Sequence, residues 1–388
     1  MSAAGDRPIK VAFTGTALMA PLTGIGQYTH QLALGLREVP GIELRLFYAT
    51  HFSSDVRSGA APAIADVRRA VRSTLPFAYE LERGVKQAFF SLGAASEHFD
   101  LYHEPNFLAY RFRGPSVVTV HDLSWIRYPE THPAERVRAM HKYFQPGLER
   151  ASLVLSDSEF VKAEIVKEFG IAADRVETIP LGLDPAFSPR TPEQTREVLA
   201  AHSLEHGSYF LCVGTLEPRK NIAAAIRAYS SLAADVRSRS PLAIAGMRGW
   251  RTSSLDALLE PLIASGAVRV LGYVSRGDLV AITAGAMALV YPSLYEGFGL
   301  PPLEAMGCGV AVIASNVSSL PELVADAALT VDPHDVDALG AAMAHVAGDA
   351  SLRADLCRRG LQRAAEFTWE RCVAATVQAY LRASSMRR

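Results

Sequence analysis

The sequence predicts an α/β protein made of two doubly wound units, each with a parallel sheet covered by helices on both faces. Short apolar runs alternate with longer helical patterns along most of the 388-residue chain, which is typical of parallel strands joined by crossover helices. A stretch at 182–192 contains three prolines and interrupts this alternation, which indicates an interdomain linker. The alternation then restarts, so the length is best explained by two domains of moderate size.

In the first half, apolar runs predict strands at 9–14, 42–48, 101–103, 116–121, 153–156 and 176–180. Helical patterns occupy 26–39, 134–151 and 160–169. The segment at 67–90 mixes aromatic residues with basic ones, including Arg68, Arg69 and Arg72. Such a mixture on a helix can lie on an anionic bilayer, or its apolar face can pack inward as a pair of surface helices. Both interpretations stay open, and the first predicts peripheral contact with a membrane.

In the second half, buried strands are predicted at 209–213, 242–245, 268–271, 288–291 and 310–314. Helices are predicted at 222–234, 255–265, 278–284 and 301–306, and the chain from 335 onward is helical with breaks near Asp349 and Thr368. This pattern describes a second doubly wound unit followed by C-terminal helices.

Composition excludes several classes of function. Charged residues make up 20% of the chain and the net charge is −1, so no global attraction to nucleic acid is expected. The four cysteines lack CxxC spacing, and Cys212 and Cys308 lie in apolar runs as small buried residues would. No secretory signal and no run of eighteen apolar residues is present. We therefore expect a cytoplasmic protein without disulfides.

The segment 296–304 is the most informative part of the chain. It places Glu296 in a glycine-rich turn and Glu304 eight residues later, in a helix whose opening suits the prolines at 301–302. The unpaired amides at that opening are a natural seat for an anion, and they belong to Phe298, Gly299 and Leu300. Backbone for a phosphate and carboxylates for hydroxyl groups together suit a nucleotide sugar. The alternative is a glycine-rich turn with two solvated acids.

Two cations follow the first strand of the second unit. Arg219 and Lys220 lie just before a predicted helix, for which Asn221 is a plausible N-cap. Cations at the carboxyl end of a strand suit a diphosphate, whose negative charge grows when the glycosidic C–O bond breaks. A solvated surface pair is the alternative for these two residues alone.

The segment 296–304 resembles the Glu-x7-Glu signature of retaining glycosyltransferases with the GT-B fold, in particular glycosyltransferase family 4. The resemblance implies two Rossmann-like domains, at 1–181 on the acceptor side and 182–368 on the nucleotide-sugar side, that face each other across a cleft. It also implies a C-terminal helix at 369–388 that crosses back to the first domain. The segment 367–371 resembles the turn that starts this crossing.

The family pattern assigns roles on the donor side. Arg219 and Lys220 would hold the diphosphate, Glu304 would accept from the ribose and Glu296 would orient the hexose. Val274 lies in a segment that resembles the one pairing the nucleobase through backbone groups. Gly24 and Gly26 resemble a glycine loop that closes on the diphosphate, although a lone Gly-x-Gly is a weak signal. No metal is expected. The only Asp-x-Asp tripeptide, a motif that holds a metal in most GT-A enzymes, lies at 335–337, remote from the other motifs, and is better explained as a helix start.

On the acceptor side, His121 follows the strand 116–120 and matches the histidine that the family places near the transferred sugar. A histidine satisfied at a strand end is the alternative. Asp122, Trp125 and Tyr128 follow it and are predicted to shape the acceptor pocket. The segments 120–125 and 141–144 are similar to bacterial mannosyl- and rhamnosyltransferases that build surface polysaccharide.

These features predict a metal-independent retaining glycosyltransferase without a cofactor. It would move mannose or a deoxyhexose, from a donor expected to be GDP-linked, to a lipid-linked glycan such as a lipopolysaccharide precursor at the inner face of the plasma membrane. Three alternatives stay open: a UDP-hexose-dependent glycosyltransferase, a GT-B sugar-nucleotide epimerase or phosphorylase, and a non-catalytic nucleotide-sugar-binding protein. A nicotinamide-dependent dehydrogenase is disfavoured, because Thr29 replaces the third glycine of its motif.

Overall fold

A computed structural model describes residues 7–20, 22, 24–57, 78–247 and 253–386. The chain divides into two compact units. Unit 1 contains Met1–Gly182 together with Trp369–Arg388, and unit 2 contains Leu183–Thr368. The basic residues Arg68, Arg69 and Arg72 lie outside the described residues.

Unit 1 is a sheet of seven strands in the order β3-β2-β1-β4-β5-β6-β7. Its strands are β1 Ile9–Thr14, β2 Ile42–Phe47, β3 Phe52–Ser53, β4 Leu101–Glu104, β5 Ser116–Val120, β6 Leu153–Ser156 and β7 Val176–Thr178. Its helices are α1 Gly24–Arg37, α2 Ala78–Glu97, α3 Ser124–Arg127, α4 Ala134–Arg150 and α5 Glu159–Phe169. All described pairings are parallel except that of β2 with β3.

Unit 2 has a sheet of six strands in the order β10-β9-β8-β11-β12-β13, all parallel. The strands are β8 Phe210–Val213, β9 Leu242–Ala245, β10 Val268–Gly272, β11 Ala288–Tyr291, β12 Ala311–Ser315 and β13 Leu329–Val331. The helices are α6 Pro192–Ala201, α7 Ile222–Ser230, α8 Ala234–Arg239, α9 Ser253–Ala264, α10 Arg276–Ala284, α11 Leu300–Gly307, α12 Leu320–Val324, α13 Val336–Gly348 and α14 Ala350–Ala364. This strand order is that of a doubly wound dinucleotide-type fold.

The last helix, α15 Trp369–Ser385, belongs to unit 1 and packs against α1, β4 and β5. A buried polar chain attaches it there. The Tyr380 hydroxyl lies 2.7 Å from His103 Nδ1, and His103 Nε2 lies 2.8 Å from the Thr119 hydroxyl. That hydroxyl in turn lies 3.0 Å from the Tyr28 hydroxyl on α1. The predicted return of the C-terminal helix to the first domain is therefore confirmed.

The local predictions need two corrections. The sequence predicts a helix from residue 26, preceded by a glycine loop that includes Gly24, but α1 already begins at Gly24. The sequence places Asn221 as the N-cap of α7, and it holds that position, but with a φ of 54° and no side-chain capping bond. Its amide instead donates to the carbonyl oxygens of Pro292 at 3.1 Å and Pro333 at 2.8 Å. The side chain therefore ties together loops at the sheet edge.

Other features concern elements that the sequence analysis left out. Helix α6 follows the linker, and its capping box uses Thr191 and Gln194. The edge strand β13 has only three residues, which is too short for a clear apolar pattern. The predicted burial of Cys212 and Cys308 is confirmed, and all four cysteines are free. Across the described residues, no helix is both long and apolar enough to cross a membrane.

Candidate active site in unit 2

The candidate site lies where the strand order of unit 2 reverses. Strands β8 and β11 are neighbours at the centre of the sheet, and the chain leaves them toward opposite sheet edges. Ligands of open α/β sheets bind outside the carboxyl ends of the strands at such a switch point. The loop after β8 carries Arg219 and Lys220 in a short 3-10 turn, and the loop after β11 carries Glu296.

These two loops meet through the Glu296 carboxylate, which is almost fully buried. Lys220 Nζ lies 2.7 Å from Oε1 of Glu296, and Arg219 Nη1 lies 3.2 Å from Oε2. The other side of Arg219 bonds the Glu217 carboxylate at 2.8 Å, and Lys220 donates to the Tyr291 hydroxyl at 3.0 Å. The structure thus brings three of the predicted residues into one buried ion cluster.

In this cluster, the opposite charges of neighbouring side chains counteract the effect of burial on each pKa. Burial alone would raise the pKa of the Glu296 carboxyl, but Lys220 and Arg219 outweigh it and lower that pKa to about 2. Burial lowers the pKa of Lys220, and the Glu296 charge opposes that effect. Glu296 therefore stays ionised at neutral pH and neutralises part of the charge that a phosphate group would otherwise meet.

Glu304 lies in α11 and forms a second ionic contact, which is longer than those of Glu296. Arg276 Nη1 is 3.5 Å from Oε1 of Glu304, while Nη2 of the same guanidinium is 2.7 Å from the Asp184 carboxylate. Burial raises the pKa of Glu304 to about 7; Arg276 acts against this and Asp184 adds to it. Arg276 is the first residue of α10 and lies two positions after Val274. Through its contact with Glu304, it links that residue to the segment predicted to pair with the nucleobase.

Two serines stabilise the turn between the two glutamates through hydrogen bonds to its backbone. Ser319 donates to the carbonyl oxygens of Glu296 at 2.9 Å and Phe298 at 3.0 Å, and Ser318 accepts from the Glu296 amide at 3.0 Å. Gly299 precedes α11 with a φ of 116°, and a Cβ there would lie 2.8 Å from the Leu320 side chain. Only glycine fits this position without displacing its neighbours.

The sequence analysis missed four residues of the candidate site: Glu217 and Tyr291 beside the Glu296 cluster, and Asp184 and Arg276 beside Glu304. Glu217 was visible in the same loop as Arg219, but nothing in the sequence says that it would pair with it. Asp184 is in the linker, 92 positions from its partner Arg276. Such a pairing depends on how the chain folds back, and no local pattern announces it.

His121 of unit 1 has both ring nitrogens engaged. Nδ1 lies 2.7 Å from the Asp157 carboxylate and Nε2 donates to the Pro105 carbonyl oxygen at 2.8 Å. Burial lowers the pKa of His121, but the carboxylate of Asp157 outweighs it, so the net shift is upward. The ring packs edge-on against Tyr28 and Phe107. In this arrangement the imidazole supports the 105–107 segment, and its predicted role toward a sugar stays a prediction.

The three other residues predicted on the acceptor side differ in burial and in their contacts. Trp125 is 3% exposed and packs against His141 and Phe144 as a core residue does, and its predicted part in an acceptor pocket stays a prediction. Asp122 is half-buried and accepts from the amide and hydroxyl of Ser124. Tyr128 ends α3 and is half-buried.

Within the described ranges, no group of three or more His, Cys, Asp or Glu side chains lies close enough to hold a metal ion. The positive charge at the switch point of unit 2 comes from Arg219 and Lys220.

Family models match both halves of the chain. Residues 22–187 match the model described as Glycosyltransferase Family 4, and residues 196–363 match the one described as Glycosyl transferases group 1. The chain is 40% identical over 384 residues to the O-antigen chain mannosyltransferase B of Escherichia coli. That match covers 96% of this chain and 99% of the relative.

Solved structures share the fold across nearly the whole length. A sucrose-phosphate synthase from Thermosynechococcus elongatus superposes with a TM-score of 0.73 at 19% identity, covering 96% of this chain and 98% of that chain. WaaG, a glycosyltransferase involved in lipopolysaccharide biosynthesis, gives a TM-score of 0.69 at 16% identity, covering 95% and 99%. At these identities the likeness shows the fold alone.

Proposed function

The chain belongs to glycosyltransferase family 4, and from that premise we propose that it transfers mannose from GDP-mannose to a sugar hydroxyl of a growing surface glycan. The observation that carries the proposal is the buried cluster of Arg219, Lys220 and Glu296 at the switch point of unit 2. It combines cations for a diphosphate with a carboxylate for hydroxyl groups. The choice of mannose rests on the relative that is 40% identical and is named as an O-antigen chain mannosyltransferase.

Donor binding begins with an exchange of anions. The Glu296 carboxylate holds both cations in this structure, so an incoming diphosphate has to take over those contacts. The freed carboxylate then accepts hydrogen bonds from the hexose hydroxyls, as the family pattern implies. Glu296 therefore keeps the cations in place before the donor arrives and orients the sugar afterwards. The amides of Phe298, Gly299 and Leu300, at the opening of α11, add further donors to the phosphate.

Glu304 accepts from the ribose hydroxyls in this proposal. Its contact with Arg276 is long, at 3.5 Å, whereas the bond from Arg276 to Asp184 is short. Asp184 therefore holds the guanidinium and leaves the Glu304 oxygens able to accept from a ligand. In the same proposal, the backbone at Val274 pairs with the nucleobase.

The chemistry requires no covalent enzyme intermediate. The bond between the anomeric carbon and the donor phosphate oxygen breaks, and the acceptor oxygen bonds that carbon on the same face, which retains the configuration. The acceptor proton goes to the departing diphosphate. Arg219 and Lys220 stabilise the charge that develops on the leaving group, which is the task that a metal performs in other glycosyltransferases. Transfer is therefore expected to survive a chelator.

We also propose that the acceptor is lipid-linked and that the protein is cytoplasmic, with peripheral contact at the inner face of the membrane. One face of α2 exposes an apolar stripe, in which Leu81 and Leu92 are each 70% exposed and Val85 and Phe89 lie between them. An unpaired apolar helix face suits the bilayer interface. Leu81→Gln/Leu92→Gln should reduce sedimentation with anionic vesicles, with Leu361→Gln in α14 as the control. Equal binding of both variants would contradict this contact.

The donor proposal is tested by thermal shift with GDP, UDP, ADP, GDP-mannose, UDP-glucose and NAD in the presence of a chelator. A ligand at about 100 times its dissociation constant adds about 2.7 kcal/mol of stability. Stabilisation by GDP and GDP-mannose alone supports the proposal, and a response to UDP compounds instead would replace the donor. The configuration of the product, measured by NMR, decides whether transfer retains or inverts the anomeric centre.

A further inference from the structure

Lys220 lies against the ends of both central strands of unit 2. Its methylene groups lie beside Gly214, just after β8, where an added Cβ would come within 3.7 Å of three of them. Its ammonium lies 5.3 Å from the centre of the Tyr291 ring. Tyr291 is the last residue of β11 and is 3% exposed. The central strands of the sheet therefore supply the surroundings of this cation.

Hydrogen bonds also hold the turn that carries Lys220 against the segment after β11. The Arg219 carbonyl oxygen accepts from the Leu294 amide at 2.8 Å. The Asn221 side chain donates to the Pro292 carbonyl oxygen at 3.1 Å. Both bonds fix the position from which the lysine side chain extends.

The two cations of the cluster differ in what holds them. Besides Glu296, Arg219 contacts the Glu217 carboxylate and a carbonyl oxygen of the loop after β11, each at 2.8 Å. Among the described residues, the Lys220 ammonium has two hydrogen-bond partners, Glu296 at 2.7 Å and Tyr291 at 3.0 Å. When a diphosphate displaces the Glu296 carboxylate, the guanidinium keeps both other contacts, whereas the ammonium keeps one, the Tyr291 hydroxyl.

The Tyr291 hydroxyl is chemically suited to this contact. Burial and the charge of Glu296 raise the pKa of Tyr291 well above its ordinary value, so the hydroxyl stays neutral. An ammonium has donors and no acceptor, so the Tyr291 oxygen accepts from Lys220. Because the hydroxyl carries no charge, it holds the cation without neutralising it, as a carboxylate would.

We propose that Tyr291 is a positioning residue for glycosyl transfer: its hydroxyl holds the Lys220 ammonium at the switch point when the donor diphosphate displaces Glu296. This inference rests on the proposed function, because it assumes that Lys220 acts on the leaving diphosphate. Negative charge on that group grows as the C–O bond breaks. A well-placed ammonium is therefore worth more to the free diphosphate than to the intact donor.

The test compares Tyr291→Phe with Tyr229→Phe in the full chain. Both variants remove one buried hydroxyl from unit 2, and the Tyr229 hydroxyl, on α7, donates to the Arg237 carbonyl oxygen at 3.1 Å, outside the cluster. Phenylalanine keeps the ring beside Lys220, so Tyr291→Phe removes only the hydrogen bond to the ammonium. Calorimetry measures the dissociation constants of GDP and GDP-mannose, and thermal unfolding shows that each variant is folded.

Tyr291→Phe should weaken GDP binding about tenfold, which corresponds to about 1.4 kcal/mol, and GDP-mannose binding less than about threefold. The difference is expected because GDP carries the additional negative charge of the leaving group. The control should bind both ligands as the wild type does. Equal weakening of both ligands by Tyr291→Phe, or GDP affinity equal to that of the control, would overturn the inference.

A double-mutant cycle with Lys220→Met separates positioning from a general structural effect. If Tyr291 acts through Lys220, adding Tyr291→Phe to Lys220→Met should change GDP affinity less than about twofold. A further tenfold loss in that background would contradict the proposal. If Tyr291→Phe does not fold, Tyr291→Met, which also lacks the hydroxyl and packs adaptably, takes its place.

Failure of the proposed function would look different. In that case the wild type itself would bind neither GDP with GDP-mannose nor UDP with UDP-glucose, and this inference would fall with the proposed transfer. If the wild type binds the UDP pair instead, the same comparison is made with UDP and UDP-glucose, and the same outcomes decide.

Discussion

The switch points of the two units have the same topology and different contents. In unit 2, the loops after β8 and β11 bring Arg219 and Lys220 onto Glu296 within 3.2 Å. In unit 1, the loops after β1 and β4 leave an open groove around Glu104, whose two oxygens accept from the Tyr102 hydroxyl and the Asn106 backbone amide. The carboxyl ends of parallel strands supply the location in both cases. The side chains on the loops then give each site its own charges.

The pKa values express the same difference. Glu296 and Glu104 are both buried carboxylates, and burial raises the pKa of each. Two cations reverse that effect at Glu296 and lower its pKa to about 2, whereas at Glu104 hydrogen bonds and the Arg83 charge offset burial only in part and the pKa rises to about 7. The contrast teaches that burial alone does not identify the role of a carboxylate; its charged neighbours do.

The largest effect is expected from removing a cation of unit 2. Lys220→Met should lower kcat by about 10²–10³-fold, because it removes charge stabilisation of the leaving diphosphate. Steady-state release of GDP from GDP-mannose measures it. Lys162→Met, in α5, is the control, since that lysine pairs at 3.7 Å with exposed Glu159. A change of kcat no greater than in the control would show that Lys220 does not act on the leaving group.

Glu296→Gln should separate donor binding from transfer. The glutamine no longer competes with the diphosphate for Arg219 and Lys220, so GDP is expected to bind about tenfold more tightly, a gain of about 1.4 kcal/mol. Turnover is expected to fall about 10²-fold because the hexose is no longer oriented. Calorimetry with GDP and steady-state kinetics provide the two numbers. Weaker GDP binding would rule out the anion exchange proposed for this carboxylate.

Within unit 2, the closely packed backbone after β9 should tolerate an added side chain less well than the exposed end of α13. A Cβ on Gly246, just after β9, would lie 1.9 Å from the Gly214 carbonyl oxygen, whereas one on Gly348 meets nothing within 4 Å. Gly246→Ala should therefore lower the free energy of unfolding by about 3 kcal/mol or more, and Gly348→Ala by less than about 1 kcal/mol. Urea denaturation compares them. Equal stability would mean that the loops after β8 and β9 can move apart freely.

The smallest effect is a difference in pH dependence between the two carboxylates. The pKa of Glu296 is lowered from 4.5 to about 2, so its ion pairs contribute stability above about pH 4.5 and lose it as the pH falls toward 2. The pKa of Glu104 is raised from 4.5 to about 7. Its protonation therefore stabilises the folded protein at low pH, and this contribution is lost as the pH rises from 4.5 to 7.

Melting temperatures measured against pH should show the two opposite trends. Relative to wild type, Glu296→Gln should be most destabilised near neutral pH and less so in acid. Glu104→Gln should gain relative stability as the pH rises toward about 7. Parallel curves for the two variants would mean that the charged neighbours do not distinguish these sites.

Much of the architecture follows from the sequence by itself, since the alternation of apolar strands and amphipathic helices is a local pattern that burial enforces. The same holds for the motifs at the strand ends: Arg219, Lys220 and Glu296 follow neighbouring strands, and parallel strands deliver their loops to one sheet edge. Two prolines at 301–302 also predict the start of α11, which the structure places at Leu300. Whether the remaining site residues act as proposed stays a prediction.

Only the tertiary structure decided which side chains meet. Trp125 follows His121 by four positions, yet it turns into the core, because α3 packs against α4 there. Arg276 reaches Asp184 across 92 positions and also contacts Glu304, and a cavity in unit 1 is lined by Glu104 together with residues from β1 and α2. Sequence patterns record the period of burial within one element. Contacts between distant segments, and the pKa values that depend on them, arise only when the whole chain has folded.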